Sequence, residues 1–254
     1  MCLILFSFNV HPEYSLILAG NRDEFYNRPT APLGFWEDTP SILGGRDLLG
    51  GGSWLGVSRN LRIAAITNYR NPSGLNPDAP SRGNLVKNFL RGSKGPRAYA
   101  KELEKTGGLY NGFNLITGQK DCMWLYSNHG GGAKKILPGF YGISNHLMDT
   151  PWPKIKKSKT ALKGMFTKDE FDAETLFAIL EDKTFPPVED LPDTGVGEEW
   201  ERIFSPIFVS SDIYGTRSSS IVLIRKDGSL RFLERAFLYQ KDGSFDIKTR
   251  EFQL

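Results

Sequence analysis

The 254-residue chain is 39% hydrophobic and 24% charged, a balance that supports a packed core and excludes a disordered or low-complexity protein. Its net charge of +3, with Lys and Arg residues spread along the chain, excludes the massed positive field of a nucleic-acid-binding surface. Two cysteines, Cys2 and Cys122, exclude a disulfide framework and a cysteine-held structural zinc site and point to a reducing, cytoplasmic compartment.

The length sits at the upper end of what one core occupies, so a single domain over residues 1–254 is expected. Two apolar, β-rich runs, 2–10 and 14–21, flank the turn chemistry of 9–13, which predicts a hairpin starting at residue 2. The N-terminal run is short and has neither a basic leader nor a small-residue cleavage site, unlike a signal peptide. A Gly-rich stretch, 44–52, precedes a second hairpin made of 53–58 and 61–68 about Arg59-Asn60, and the Asn- and Pro-rich residues 69–80 predict an irregular loop.

Ser81 is the expected N-cap of a helix carrying Leu85, Phe89 and Leu90, and a second helix over 98–105 is stopped by Gly107-Gly108. Strands are expected at 112–118, 122–128 and near 140–145, followed by helices over 154–166 and 173–180. The C-terminal third predicts strands 207–211, 218–226, 229–239 and 245–252, with D-G turns at 226–228 and 241–243. Strands, then helices, then strands argue for an α+β fold of antiparallel sheets covered by helices. The longest apolar runs, such as 220–224, fall well short of the roughly 18 residues that cross a bilayer.

Two places concentrate chemistry. Cys2 directly follows the initiator methionine, so removal of Met1 exposes a residue that carries both a thiol and an α-amine. That amine has a reference pKa of about 7.7 to 8.0 and can take the thiol proton. Taken alone, Cys2 also reads as a small apolar residue at a strand start. The second place is Asn21-Arg22-Asp23-Glu24, where polar residues interrupt an apolar strand. In a regular hairpin it lies beside Cys2, where Arg22 lowers the thiol pKa and Asp23 orients the amine, although a solvated Arg–Asp strand end is the plain alternative.

Other signals carry less. His129 and His146 are isolated, and isolated histidines are usually hydrogen-bonded or surface residues. The basic stretch Lys154, Lys156, Lys157, Lys159 and Lys163 reads as a solvated helix face rather than a lipid-binding one. Gly51-Gly52-Ser53-Trp54-Leu55 misses the last position of a serine nucleophile elbow, and there is no phosphate-binding loop.

The start Met1-Cys2, then Gly20-Asn21-Arg22-Asp23-Glu24-Phe25 and Asn27-Arg28-Pro29, resembles the NRDE-motif family, also called the transport and Golgi organisation family. Gly44-Gly45-Arg46-Asp47, Gly51-Gly52-Ser53-Trp54-Leu55-Gly56 and Thr67-Asn68-Tyr69-Arg70 follow in the same order, so the resemblance runs the length of the chain. That family is in turn similar to cysteine N-terminal-nucleophile (Ntn) hydrolases such as penicillin V acylase and bile salt hydrolase. The resemblance implies a four-layer αββα sandwich with Cys2, Arg22, Asp23, Asn68, Asn145 and Arg217 as catalytic residues. Asn68 would supply an oxyanion donor, Asn145 the second Asn, and Arg217 a late arginine opening a strand.

The leading expectation is an amidase that cleaves a non-peptide C–N bond through a thioester at Cys2, with no cofactor and no metal. The alternative is a non-catalytic lipid- or haem-trafficking protein on the same scaffold, although the chain has no C-x-x-C-H haem-attachment motif. The expected partner is a small-molecule substrate or ligand, with no nucleic acid and no integral membrane contact. The sequence leaves the oligomeric state open.

Overall fold

The computed structural model describes residues 2–166, 172–240 and 243–254. The chain begins with strands β1 (Cys2–Phe8) and β2 (Tyr14–Phe25), paired antiparallel with Phe8 opposite Leu16 and Cys2 opposite Arg22. Then come β3 (Thr30–Phe35), β4 (Ile42–Asp47), β5 (Leu55–Ser58) and β6 (Arg62–Asn68), and helices α1 (Gly83–Arg91) and α2 (Pro96–Thr106). Strands β7 (Phe113–Gln119), β8 (Cys122–Ser127), β9 (Gly132–Ile136) and β10 (Gly139–Ile143) precede α3 (Pro153–Met165), α4 (Ala173–Leu180) and α5 (Glu198–Phe204). The last strands are β11 (Tyr214–Arg225), β12 (Leu230–Tyr239) and β13 (Phe245–Gln253).

These strands make two antiparallel sheets. One has the order β10-β1-β2-β11-β12-β13, and the other runs β3 to β9 in sequence order. Alternation along β1 explains the layering. Ile4, Phe6 and Phe8 join Leu16, Leu18, Val222 and Phe232 in a core that they share with Leu43, Leu55, Val57 and Ile63 of the second sheet. The intervening Leu3 and Leu5, with Ile17 and Ala19, pack under Ile155 and Leu162 of α3 and Leu176, Phe177 and Leu180 of α4. The second sheet turns Ile42, Ala64, Ile66 and Phe113 toward Leu85 and Phe89 of α1 and Tyr99 and Leu103 of α2. The inner strands of both sheets are thus covered on both faces, which is why they read as nearly continuous apolar runs, whereas the edge strand β13 is exposed along most of its length. The result is the expected α+β sandwich with layers α, β, β, α.

The structure departs from the sequence expectations in several places. Strands β3, β4 and β9 were not expected: β3 contains Pro32 and Gly34 and a register shift, β4 contains Gly44-Gly45, and β9 is a Lys-bearing edge strand. Helix α5 is only seven residues long, too short for its period to register. Residues 207–211 do not form the expected strand and contribute a single bridge, Ser210 to Gly215. The Val209 N–H is taken by the Thr216 hydroxyl at 2.9 Å rather than by a ladder. Ser81 is not the N-cap of α1: Arg82 holds that position and makes no side-chain cap hydrogen bond. β2 runs four residues past Asn21 because β11 continues to pair with it as far as Tyr214 opposite Phe25. The 226–228 turn forms with Gly228 at φ +92°, whereas Lys241 and Asp242 of the second D-G turn lie outside the described residues. Among the described residues, no helix is long and apolar enough to cross a membrane.

Candidate active site

Directly opposed residues of an antiparallel pair project from the same face. Cys2 and Arg22 therefore both point into the gap between the sheets, at the end where the Ile4-Phe6-Phe8 row stops. The gap opens there into a cleft of about 560 Å³, whose walls include Cys2, Arg22, Glu24, Asp47, Asn68 and Arg82.

Arg22 is buried and held from several sides. It donates to the Thr30 hydroxyl at 3.1 Å, meets Asp47 at 3.5 Å, and lies 4.4 Å from the centre of the Trp54 ring. Asp47 also accepts from Arg28 Nε at 2.7 Å and from the Gly50 N–H at 2.8 Å. Burial opposes ionisation of Asp47, yet these bonds and the two guanidinium groups hold its carboxyl below the usual range.

Asp23 points to the opposite face of β2, toward the α3 side. It is buried, its Oδ1 accepts from the Thr216 hydroxyl at 2.7 Å, and its carbonyl accepts from the Tyr214 hydroxyl at 2.8 Å. Burial pushes its carboxyl up, against the pull of Lys154 and the Thr216 bond. Lys154, expected on a solvated face, is buried with Nζ donating to the Phe204 carbonyl at 2.7 Å. Burial lowers its pKa to about 8, partly offset by Asp23.

Cys2 itself is half-buried. Burial pushes its thiol up from 9.0, Asp23 and Glu24 add to the rise, and Arg22 pulls the other way. The sequence predicts that Arg22 lowers the thiol pKa. Its contribution has that sign, but burial and the two carboxylates outweigh it.

Asn68, at the end of β6, lines the cleft, and its carbonyl accepts from Asn145 Nδ2 at 3.2 Å. Asn145 is fully buried behind that wall, and its neighbour Ser144 donates to the Cys2 carbonyl at 3.2 Å. The two asparagines and the Cys2 backbone are thereby joined. Arg217 is placed differently. It donates to the carbonyls of Phe25 and Arg28 at 2.9 and 3.0 Å and lines a second cavity on the far side of Trp54. Its charge acts on Arg22 rather than on the thiol. The histidines stay apart from Cys2: His146 uses both ring nitrogens, on the Tyr69 and Thr150 hydroxyls, at 2.9 and 2.8 Å.

Sequence reasoning missed three contributors. Arg82 faces the thiol from the start of α1, with the Cys2 and Glu24 charges favouring its ionised form against burial. Trp54 stacks on Arg22. The third is an apolar groove of Phe25, Val196, Trp200, Phe204 and Tyr214 that meets the cleft at Glu24 and Asn68. Its α5 wall is fixed by a buried ion pair between Arg70, two residues after Asn68, and Glu201. Only the aromatic spacing Trp200-Phe204 hinted at this groove. Among the described residues, no cluster of three or more His, Cys, Asp or Glu side chains is disposed to hold a metal ion.

The family model of Transport and Golgi organisation 2 matches residues 1–239. The chain belongs to this family. The Transport and Golgi organization 2 homolog of Mus musculus is 36% identical over 275 residues, covering 100% of this chain and 99% of its own. Among solved structures, the N-acylethanolamine-hydrolyzing acid amidase ortholog of Caenorhabditis elegans superposes with a TM-score of 0.52 at 13% identity, over 87% of this chain and 92% of that one. The C2A mutant of conjugated bile acid hydrolase from Clostridium perfringens gives a TM-score of 0.53 at 9% identity, over 99% and 97%. At such identities the likeness shows a shared sandwich architecture and nothing of substrate.

Proposed function

We propose that this family member is an Ntn cysteine hydrolase that cleaves a linear, non-peptide amide. The observation that carries this reading is the register of Cys2 with Arg22 at the open end of the sandwich, where a thiol at the chain start meets a cleft with Asp23 behind it. Removal of Met1 makes the Cys2 amine the base. The thiol proton passes to that amine as Sγ bonds to the amide carbonyl carbon, and the Asn68 amide group donates to the oxyanion. The amine returns the proton to the leaving nitrogen as the C–N bond breaks. Water then attacks the thioester and restores the thiol, releasing a carboxylic acid. The apolar groove beside Asn68 suits the acyl group, and the Arg-bearing cleft suits a polar leaving amine. Asn145 positions Asn68, and Arg217 acts through Arg22. Two free cysteines accord with a reducing, cytoplasmic setting.

The test is amine release from a panel of N-acyl amides by the Met1-free chain, confirmed by intact mass. Cys2→Ala and the Met1-retaining chain are both expected to be inactive while folded. Equal activity with Met1 retained overturns the reading, because the α-amine of residue 2 is then tied up in a peptide bond. A second reading, a non-catalytic lipid or haem carrier, is supported by the apolar groove of Phe25, Val196, Trp200, Phe204 and Tyr214 beside the cleft. Saturable haem binding lost in Cys2→Ala, without amine release from any amide, would select it.

A further inference from the structure

The Cys2–Arg22 pair is the first step of a longer row. Arg22 is opposite Ser218, Ser218 is opposite Ala236, and Ala236 is opposite Lys248. Five strands thus present one level of side chains toward the second sheet, and at about 4.8 Å per strand Lys248 stands about 19 Å from Cys2. The near half of the row floors the cleft. The far half floors a separate cavity of about 260 Å³, walled by Trp54 and Pro32 and rimmed by Arg217, Lys248 and Arg250. Trp54 lines both spaces and, with Arg22 stacked on it, divides them.

The divider is built into the backbone. A Cβ at position 45 would lie 2.3 Å from the Trp54 ring, so Gly45 is what allows the indole to rest against β4. The far cavity carries three cations against one carboxylate, the buried Glu234. Glu234 is already occupied: its Oε1 accepts from the Leu33 N–H at 2.7 Å, and Ser218 also bonds it. Arg217 and Arg250 each spend guanidinium donors on backbone carbonyls but have five N–H groups apiece. Lys248 has no ion-pair partner among the described residues. Pro32, Ala236, Leu238 and the Trp54 ring supply apolar surface between these charges.

We propose that this cavity is a binding site for a small organic anion, with a flat apolar body lying against Trp54 over Ala236 and a carboxylate directed to Lys248 and Arg250. The volume lies just below that of sites for drug-sized ligands, which limits the body to one or two rings. The proposal does not depend on what Cys2 does.

The test uses 2-naphthoate as probe and the full chain, by isothermal titration calorimetry with tryptophan fluorescence in parallel. The expected result is saturable binding with tryptophan quenching, at least tenfold weaker for neutral 2-naphthamide. Lys248→Glu changes an exposed position and is expected to weaken binding at least tenfold with an unchanged melting curve. Ala236→Phe, which fills the floor, is expected to abolish it. Binding that is the same in the charge-reversed protein, or equal for acid and amide, overturns the proposal. Prior alkylation of Cys2, on the other side of Trp54, is expected to leave 2-naphthoate binding unchanged; loss of binding would place the probe in the cleft and overturn the proposal. Absence of amidase activity leaves each of these readouts intact.

Discussion

Glu234→Gln isolates a charge that the fold holds at a disadvantage. Burial between the sheets raises the Glu234 carboxyl from 4.5 to about 7, despite the Leu33 N–H and the nearby Arg22 and Arg250 that favour its ionised form. The native protein therefore keeps a proton that the unfolded chain gives up near pH 4.5. Stability from this group is greatest below that pH, falls as pH rises toward about 7, and is level above it. At about 1.4 kcal/mol per pH unit the loss is about 3 kcal/mol. Glutamine keeps an acceptor for the Leu33 N–H but has nothing to ionise. Urea unfolding of both proteins at a series of pH values between 4.5 and 8 measures the effect, provided both transitions are two-state. The variant should gain on the parent by about 3 kcal/mol across that range, most of it between pH 5 and 7. Parallel stability profiles would refute the argument, since they would mean that Glu234 titrates alike in the folded and unfolded chains.

Three further outcomes are expected. Glu201→Ala leaves Arg70 buried without its ion-pair partner and should cost about 3–5 kcal/mol in urea unfolding; a change below 1 kcal/mol would show that the α5 wall is not pinned this way. With Met1 retained, iodoacetamide labelling of Cys2 should rise with pH to a midpoint above 9.0, and Glu24→Gln should move that midpoint to lower pH by removing one of the charges that raise it; mass spectrometry after short pulses reads both. Gly52→Ala would put a Cβ 2.2 Å from the Gly83 carbonyl carbon, so it should cost about 1–3 kcal/mol and, by displacing the start of α1 with Arg82, alter Cys2 labelling. A variant with parent-like melting and labelling would refute that packing argument.

The fold was legible wherever residue pattern alone decides structure. β1, β2, β6 to β8, β11 and β12 are apolar runs bounded by turn residues, and α1 to α4 carry an apolar face. What escaped are elements whose existence depends on a neighbour. β4 is held by pairing on both sides, Gly44 facing Gly34 in β3 and Gly56 in β5, although its own Gly-Gly disfavours a strand. α5 exists because Glu201 is fixed by Arg70 and the Thr194 N–H. Neither cause is local, so neither leaves a local signal.

The site divides along the same line, and the division explains why the motif looks as it does. In Asn21-Arg22-Asp23-Glu24, alternation sends Arg22 and Glu24 to the cleft and Asn21 and Asp23 to the helical side. There Asn21 Nδ2 donates to the carbonyls of Leu180 and Ile207 at 2.8 and 2.9 Å, and Asp23 takes the Thr216 hydroxyl. One tetrad therefore serves two layers: its odd members seal the sheet to the helical layer and the chain beyond it, and its even members set the charge beside Cys2. A polar run inside a buried strand is tolerated only if every member finds a partner. The partners, among them Arg28, Thr30, Asp47, Trp54, Leu180, Ile207, Thr216 and Ser219, come from separate stretches of chain. The motif was readable because it is contiguous, and its supports were not because folding alone gathers them.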